Sequence, residues 1–351
     1  MALGDKLPVV MGKEKAVANG VATLDSDGKL AKSQRPTPTE AGSADLTLSN
    51  LSNYQTALRN IGGRPNRNLL DNAYFKGGGS QQGGGQFPIN QRGQTSYTNA
   101  KTSMYTIDRW ILGWDKTMTI TESGLVFDST ADLLQQTNPV NAAQIIGKLI
   151  TITVLDSENH LYTVSAVYNG TDTITDPDVK VSFAPYYGGK PHSFWIRANN
   201  VIAAKLELGP TQTLAYQDED GNWQLFETPD YGEELAKCRY YFRRYGVSSL
   251  GQIYLPPALG VSGTEANFSI VSEPMRIAPT ISGNGFLLAG TTGDGFIADG
   301  SASFSLLGAS PLSGIITVKV TCSNRTLIPG NYYTLYANPE YGAFLDLSAE
   351  L

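Results

Sequence analysis

The two histidines, His160 and His192, are the side chains that would supply a general base near neutral pH. Neither is accompanied by the Gly-x-Ser-x-Gly elbow or the reactive-cysteine signature that triad chemistry needs. His160 lies between two strand-like segments, and His192 follows a Gly-Gly-Lys-Pro turn. Both are therefore predicted to be turn residues, and a catalytic triad is not expected.

Glycoside hydrolysis needs only two carboxylates at a suitable separation. Asp108, Asp115, Glu207 and Asp218 are the candidates. Asp108 precedes Arg109 and Trp110 in an element that favours a structural ion pair or a backbone hydrogen bond over catalysis. We therefore expect no enzyme, with a carbohydrate-active depolymerase as the less favoured alternative.

Acidic turns and cysteines are the remaining candidates for metal or redox chemistry. Residues 25–28 (DSDG) and 218–221 (DEDG) look like calcium loops, but neither continues to a bidentate glutamate at the required distance. Cys238 and Cys322 show neither metal-ligand spacing nor a disulfide framework. The sequence predicts simple turns, two buried thiols, no metal site and no cofactor.

Aromatic side chains could bind a surface sugar, because their faces stack on sugar rings beside planar polar groups. Two groups of residues have this character: Tyr186 and Tyr187 beside a Gly-Gly pair, and Tyr332, Tyr333, Tyr336, Tyr341 and Phe344 near the C-terminus. Receptor contact, packing between subunits and burial in a domain core all remain open for them.

Composition excludes two classes of partner. The net charge is -6 and the Arg243–Arg244 pair is too small to hold a nucleic-acid backbone, so nucleic acid is not expected. No apolar run approaches the ~20 residues that span a bilayer, so membrane insertion is not expected. A hydrophobic content of 41% is sufficient for packed domains.

The elements that must position these residues are mostly strands. Short β-rich segments separated by polar turns follow one another from residue 104 to 226, which is typical of a two-sheet sandwich, with a jelly roll as the favoured topology. Residues 231–246 carry acids first and bases last, as a connecting helix would. The prediction is a mainly β chain with a jelly-roll β-sandwich at 67–230, a helix at 231–246 and a C-terminal β-sandwich domain at 247–351.

The N-terminal part differs from the rest. Residues 1–44 have turn signals without apolar periodicity, which indicates an extended attachment arm. Within the predicted short helix and linker at 45–66, an apolar seam has spacings of three, four and three residues: Leu51, Tyr54, Leu58 and Ile61. A helix this short must bury its apolar stripe, either on a neighbouring domain or on copies of itself around a symmetry axis. In a homotrimer, three copies of this helix would bury their apolar stripes against one another.

Four segments resemble one protein family in the same order. They are residues 18–35 (ANGVATLDSDGKLAKSQR); residues 68–75 (NLLDNAYF) with 89–94 (INQRGQ) and 105–110 (YTIDRW); residues 204–213 (AKLELGPTQT); and residues 233–242 (EELAKCRYYF). The first is similar to an element near the start of many phage tail fibres, and the others to their jelly-roll module and the helix that leaves it. The chain thus resembles the tail-fibre and tail-tip proteins of phages and prophages of Gram-positive gut bacteria.

The resemblance implies a homotrimeric virion protein, made in the host cytoplasm. Its N-terminal arm would hold a baseplate or other tail protein, and its C-terminal domain would face a host polysaccharide or protein receptor. The expected function is host attachment by a short tail-fibre or receptor-binding subunit. The alternative from another class is a purely structural baseplate connector, tail-tip connector or decoration protein.

Overall fold

The structure is a computed structural model that describes residues 65–79, 86–99, 104–113, 115–128, 134–137, 144–187, 190–246, 253–290, 296–297, 302–311, 313–322, 326–337 and 342–350. All of them belong to one compact unit, Pro65–Leu351. The predicted arm at 1–44 and the seam of Leu51, Tyr54, Leu58 and Ile61 lie outside the described residues. The described part is mainly β with one short helix, which confirms the predicted class.

The strands before the helix number fourteen among the described residues. They are β1 Ser96–Asn99, β2 Met104–Tyr105, β3 Ile111–Leu112, β4 Lys116–Thr121, β5 Gly124–Phe127, β6 Leu134–Thr137, β7 Leu149–Asp156, β8 Leu161–Val167, β9 Ile174–Thr175, β10 Val181–Tyr187, β11 Lys190–Ile196, β12 Val201–Leu208, β13 Ala215–Gln217 and β14 Trp223–Leu225. Two antiparallel six-stranded sheets result, in the orders β1-β4-β5-β12-β7-β8 and β2-β3-β6-β11-β10-β9.

These two sheets share one hydrophobic core. Along β7, Ile150, Ile152 and Val154 share it with Phe183 and Phe194 of the other sheet. The alternate residues of β7 and β12 point away from this core, because successive side chains of a strand lie on opposite faces. The outward positions on β12 include Lys205 and Glu207, which are nevertheless buried. Something must therefore cover the outer face of this sheet.

The covering segment is the polypeptide between β12 and the helix. Thr151 Oγ1 donates to the carbonyl of Gly209 over 2.6 Å, and Ser165 Oγ donates to the carbonyl of Pro210 over 2.8 Å. The two-stranded hairpin β13–β14 continues this segment. We call residues 209–230 the strap.

The helix, α1, spans Tyr231–Arg239 and begins after Asp230, whose side chain accepts a hydrogen bond from the Glu233 amide. The prediction of a helix across 231–246 was wrong at its C-terminal end. The aromatic residues there favour a strand, and β15, Phe242–Gly246, pairs along its whole length with the last strand of the chain. The connecting element therefore joins the second β region directly.

That second region contains the remaining strands. They are β16 Ile253–Gly260, β17 Glu265–Val271, β18 Thr280–Asn284, β19 Phe286–Gly290, β20 Phe296–Ile297, β21 Ser303–Ser310, β22 Ile315–Thr321, β23 Tyr332–Ala337 and β24 Phe344–Ser348. A three-stranded sheet, β15-β24-β18, and a seven-stranded sheet, β20-β19-β23-β16-β17-β22-β21, share a second core.

Gly124 provides a test of this packing. Its φ is +137°, and a Cβ atom there would lie 2.4 Å from the carbonyl oxygen of Val201 on the neighbouring strand. We expect Gly124→Ala to lower the free energy of unfolding by about 3 kcal/mol or more, from backbone strain and steric clash together. Gly147 has a φ of +76° and open space around it. Gly147→Ala should therefore cost only about 1 to 2 kcal/mol. Urea midpoints measure both, and equal losses would contradict a steric clash with β12.

Candidate functional site

The predicted C-terminal tyrosines do not form one surface. Along β23, Tyr332 is 56% exposed, whereas Tyr333 and Tyr336 are only 4% and 7% exposed. Tyr333 belongs to the second core, and its hydroxyl accepts a hydrogen bond from the Ile328 amide over 2.6 Å. Tyr332 alone of these three residues is available to an external molecule.

The other predicted aromatic residues also differ in their exposure to solvent. Phe344 is half-buried beneath Arg244, whose guanidinium carbon lies 4.5 Å from the ring centroid, so it packs within the protein. Tyr186 is 67% exposed on the β10–β11 hairpin. The side chain of Tyr187, and Tyr341 as a whole, lie outside the described residues.

Tyr332 lies at one end of a row of side chains across five strands of the seven-stranded sheet. Directly paired residues of antiparallel strands share a face. The register places these residues side by side: Ser305, Lys319, Asn267, Leu259 and Tyr332. We call this set the Tyr332 row. Leu259 and Tyr332 are exposed, and the buried Oδ1 of Asn267 accepts no hydrogen bond from the described residues.

Asp108 and Arg109 occupy a buried polar cluster between the two β regions. Asp108 accepts hydrogen bonds from the side chains of Gln91 and Arg92, and Arg92 also forms a 2.5 Å ion pair with Glu350. The structure thus gives Asp108 the ion pair that its position before Arg109 and Trp110 indicated. Because Glu350 follows the last strand, the C-terminal end of the compact unit lies against this cluster.

Arg109 also contacts residues of both β regions at this cluster. Its Nε lies 3.1 Å from Asp71 Oδ2, and its guanidinium carbon lies 3.5 Å from the centroid of the Tyr241 ring. The Glu350 carboxylate accepts a hydrogen bond from the Arg109 amide. We call the whole set the junction cluster, which comprises Asp71, Asn72, Gln91, Arg92, Asp108, Arg109, Glu234, Tyr241 and Glu350.

The carboxylates considered for hydrolysis have separate structural partners. Glu207 accepts hydrogen bonds from the amide and hydroxyl of Thr213 in the strap, and Lys205 Nζ lies 3.6 Å from its Oε2. Asp218 accepts hydrogen bonds from the Asp220 and Asn222 amides, which makes it a turn residue as predicted. Burial raises the pKa of Glu207 and lowers the pKa of Lys205.

A group that sequence reasoning did not select as a metal site lies at the β7–β8 turn. Side-chain ligand atoms of Asp156, Glu158 and His160 lie within 4.8 Å of one another. The Asp156 Oδ1 accepts hydrogen bonds from the Glu158 and His160 amides, and its Oδ2 lies 3.0 Å from His160 Nδ1. The arrangement closes the turn, and its atoms are of types that bind cations.

The prediction that His192 is a turn residue was wrong, because it lies half-buried within strand β11, whereas the two thiols are buried. His192 Nδ1 lies 2.8 Å from the hydroxyl of Tyr168, and burial lowers the pKa of His192. Cys238 and Cys322 are both buried and form no disulfide with one another, as predicted. Burial raises the pKa of the Cys238 thiol, which makes it unreactive near neutral pH.

Comparison with known proteins gives no match. No family model, no curated protein and no solved structure is similar to this chain. No helix in the described part of the chain has the length and apolar character to cross a membrane.

The junction cluster makes stability depend on pH. Burial raises the pKa of Asp108 from 3.8 to about 7, although the attraction of Arg92 opposes this shift. Burial also raises the pKa of Asp71 and Glu350. The folded protein therefore holds more protons than the unfolded chain between the ordinary pKa of Asp108, 3.8, and about pH 7. The stability that these protons contribute is full below pH 3.8 and is lost as the pH rises through about 7.

We expect this loss to contribute up to about 1.4 kcal/mol per pH unit for each such group. The Asp108→Asn variant cannot ionise at this position, so its free energy of unfolding should fall less steeply from about pH 4 to about pH 7 than that of the parent. Urea unfolding at each pH, followed by tryptophan fluorescence, measures both slopes. Identical slopes would show that Asp108 does not titrate in this range.

Proposed function

We propose that this chain is a non-enzymatic subunit of a phage tail or phage-derived particle, a short tail-fibre-like protein that attaches the particle to the host surface. Membership of the particle is supported by the four segments that resemble tail fibres. The attachment role is supported by the exposed face of the seven-stranded sheet. Surface carbohydrate is the proposed receptor.

The resembling segments that the structure describes assemble in one place. Asn72 of the first described segment donates its amide hydrogen to Glu234 of the helix segment over 2.8 Å. Its side-chain amide also donates to the carbonyls of Ile89 and Asp108. The Ala204 amide of the strand segment donates to the Ala73 carbonyl. Residues that are far apart in sequence therefore belong to one structural unit, which favours a shared architecture over chance similarity.

Strand order supports a jelly roll for the first β region. Consecutive strands β5, β6 and β7 alternate between the two sheets. The late strand β12 lies between β5 and β7, and β11 lies between β6 and β10. Insertion of late strands between early ones is the Greek-key pattern on which jelly rolls are built.

The observation that carries the attachment role is the Tyr332 row. An exposed tyrosine and an exposed leucine lie beside Asn267, which carries a planar side-chain amide. An aromatic ring next to a planar amide is a combination that binds sugars. In a trimer, three such rows would bind together, so a weak single contact would become effective through its multiplicity.

Binding to cells tests this role. The full-length chain, labelled with a fluorophore, should bind at least one strain in a panel of Gram-positive gut bacteria, as measured by flow cytometry. Tyr332→Ser should reduce binding about fivefold to thirtyfold, since an aromatic contact is worth roughly 1 to 2 kcal/mol. Tyr240→Ser is the matched control, because Tyr240 is also an exposed tyrosine but lies at the end of α1.

Absence of binding across the panel would favour a purely structural connector. Equal loss in the Tyr332 and Tyr240 variants would show that the Tyr332 row is not the contact.

The oligomeric state is a separate prediction. We expect the full-length chain to form a homotrimer, because the predicted helix at 45–66 needs a partner for its apolar seam. Light scattering should then give three times the chain mass of 37.7 kDa. Leu51→Asp together with Leu58→Asp should reduce the mass to that of one chain while the β domains stay folded. A monomer of the parent chain at micromolar concentration would contradict the trimer.

A further inference from the structure

The strap encloses a cleft on the outer face of β12. The cleft has a volume of about 80 Å³. Apolar side chains from the strap form one wall, namely Leu214, Leu225 and Pro229, and Ala203 lies on the sheet side. The polar groups that reach it include Lys205 and Glu227, and Tyr74 contributes an aromatic side chain.

Lys205 is held in a fixed position at this cleft. Its Nζ donates hydrogen bonds to the carbonyl and the hydroxyl of Thr213, over 3.0 Å and 2.8 Å. An ammonium group carries three N–H donors. Glu207 Oε2 lies 3.6 Å from the same nitrogen and attracts it, so Thr213 and Glu207 together hold the ammonium group.

Carboxylates outnumber ammonium groups around the cleft. Lys205 is attracted to both Glu207 and Glu227, and Glu234 forms an ion pair with Lys237. An anionic guest would lose its hydration and meet this excess of carboxylates, which is costly in a partly buried site. Neutral groups that donate hydrogen bonds, such as hydroxyls, suit the cleft, since the Glu227 carboxylate in its lining is an acceptor.

Size limits what can enter. A cavity holds a water molecule when about 10 to 15 Å³ is accessible to the water centre, so the cleft accommodates several waters. Hydroxyl groups can replace such waters and keep their hydrogen bonds. A whole sugar ring exceeds this space, but the hydroxyl-bearing edge of a ring would fit, with its C–H groups against the apolar wall.

We propose that the cleft beneath the strap binds one edge of a neutral saccharide, with the Glu227 carboxylate accepting hydrogen bonds from its hydroxyl groups. This inference rests on the proposed attachment role only for its biological meaning, because the site lies on a different β region from the Tyr332 row. Sugar binding to the isolated chain and adhesion to cells can therefore succeed or fail independently.

The test uses the full-length chain with glucose, galactose and N-acetylglucosamine as separate probes. Saturation-transfer difference NMR should detect at least one of them, and calorimetric titration should give a Kd in the millimolar range, as expected for a small contact. Glucuronate, which carries a negative charge, should bind at least tenfold more weakly than the best neutral sugar.

Two variants locate the binding. Ala203→Leu fills the cleft from the sheet side, and Glu227→Gln weakens the acceptor at its polar side; each should weaken binding at least tenfold. Glu219→Gln is the matched control, since Glu219 is an exposed residue of the same strap outside the cleft lining. The control should bind as the parent does. Thermal unfolding of each variant establishes that it is folded, and Glu227→Gln keeps the test valid if Ala203→Leu does not fold.

No saturation transfer from any of the three neutral sugars at millimolar concentration would overturn the proposal. Binding that a folded Glu227→Gln variant leaves unchanged would also overturn it, because the sugar would then lie elsewhere. Sugar binding that is lost in the variants, combined with no adhesion to cells, would support the cleft and remove the attachment role.

Discussion

The buried charges of the junction cluster are the constraint on which the rest of the structure depends. Arg92 is shared by Asp108 of the first β region and Glu350 at the end of the second. Removing one partner of a buried ion pair costs roughly 3 to 5 kcal/mol, because the other charge is left unpaired. Each β region therefore supplies counter-charges that the other needs. This arrangement couples the folding of the two regions through polar contacts at their junction.

The cluster also fixes a backbone conformation that would otherwise be unfavourable. Arg109 is buried with a φ of +73°, a value that non-glycine residues seldom adopt. Its ion pair with Asp71 and its position over Tyr241 compensate for this strain, as surrounding contacts must wherever strain persists. The turn places Asp108 towards Arg92 and Trp110 in the core, where the indole donates to the Asn72 carbonyl. One local geometry thus positions three consecutive side chains.

The sequence was sufficient to predict the features that local residue patterns determine, namely the strands and the start of the helix. Apolar alternation in β7 and β22 is sufficient to identify strands, and the acidic and basic ends of α1 were recognised. The sequence left open which of the terminal tyrosines are buried, whereas along β23 the structure buries Tyr333 and exposes Tyr332, on opposite faces of the strand. The partners of Asp108 and Lys205 were not predicted either. Arg92 and Glu350 are separated by 258 residues, and no local pattern contains such a contact.

The contrast between the buried junction cluster and the surfaces outside it explains where ligands can bind. The junction cluster tolerates little change, since each buried charge needs its partner, whereas the Tyr332 row lies outside it and the strap cleft shares only Glu234 with it. A fixed junction also holds these surfaces in one relative orientation. Binding then costs less for ordering, because that entropy has already been lost in folding. If both surfaces bind saccharide, one polymer chain could bridge them only at the separation that the junction sets, which would make the rigidity of the junction a determinant of receptor choice.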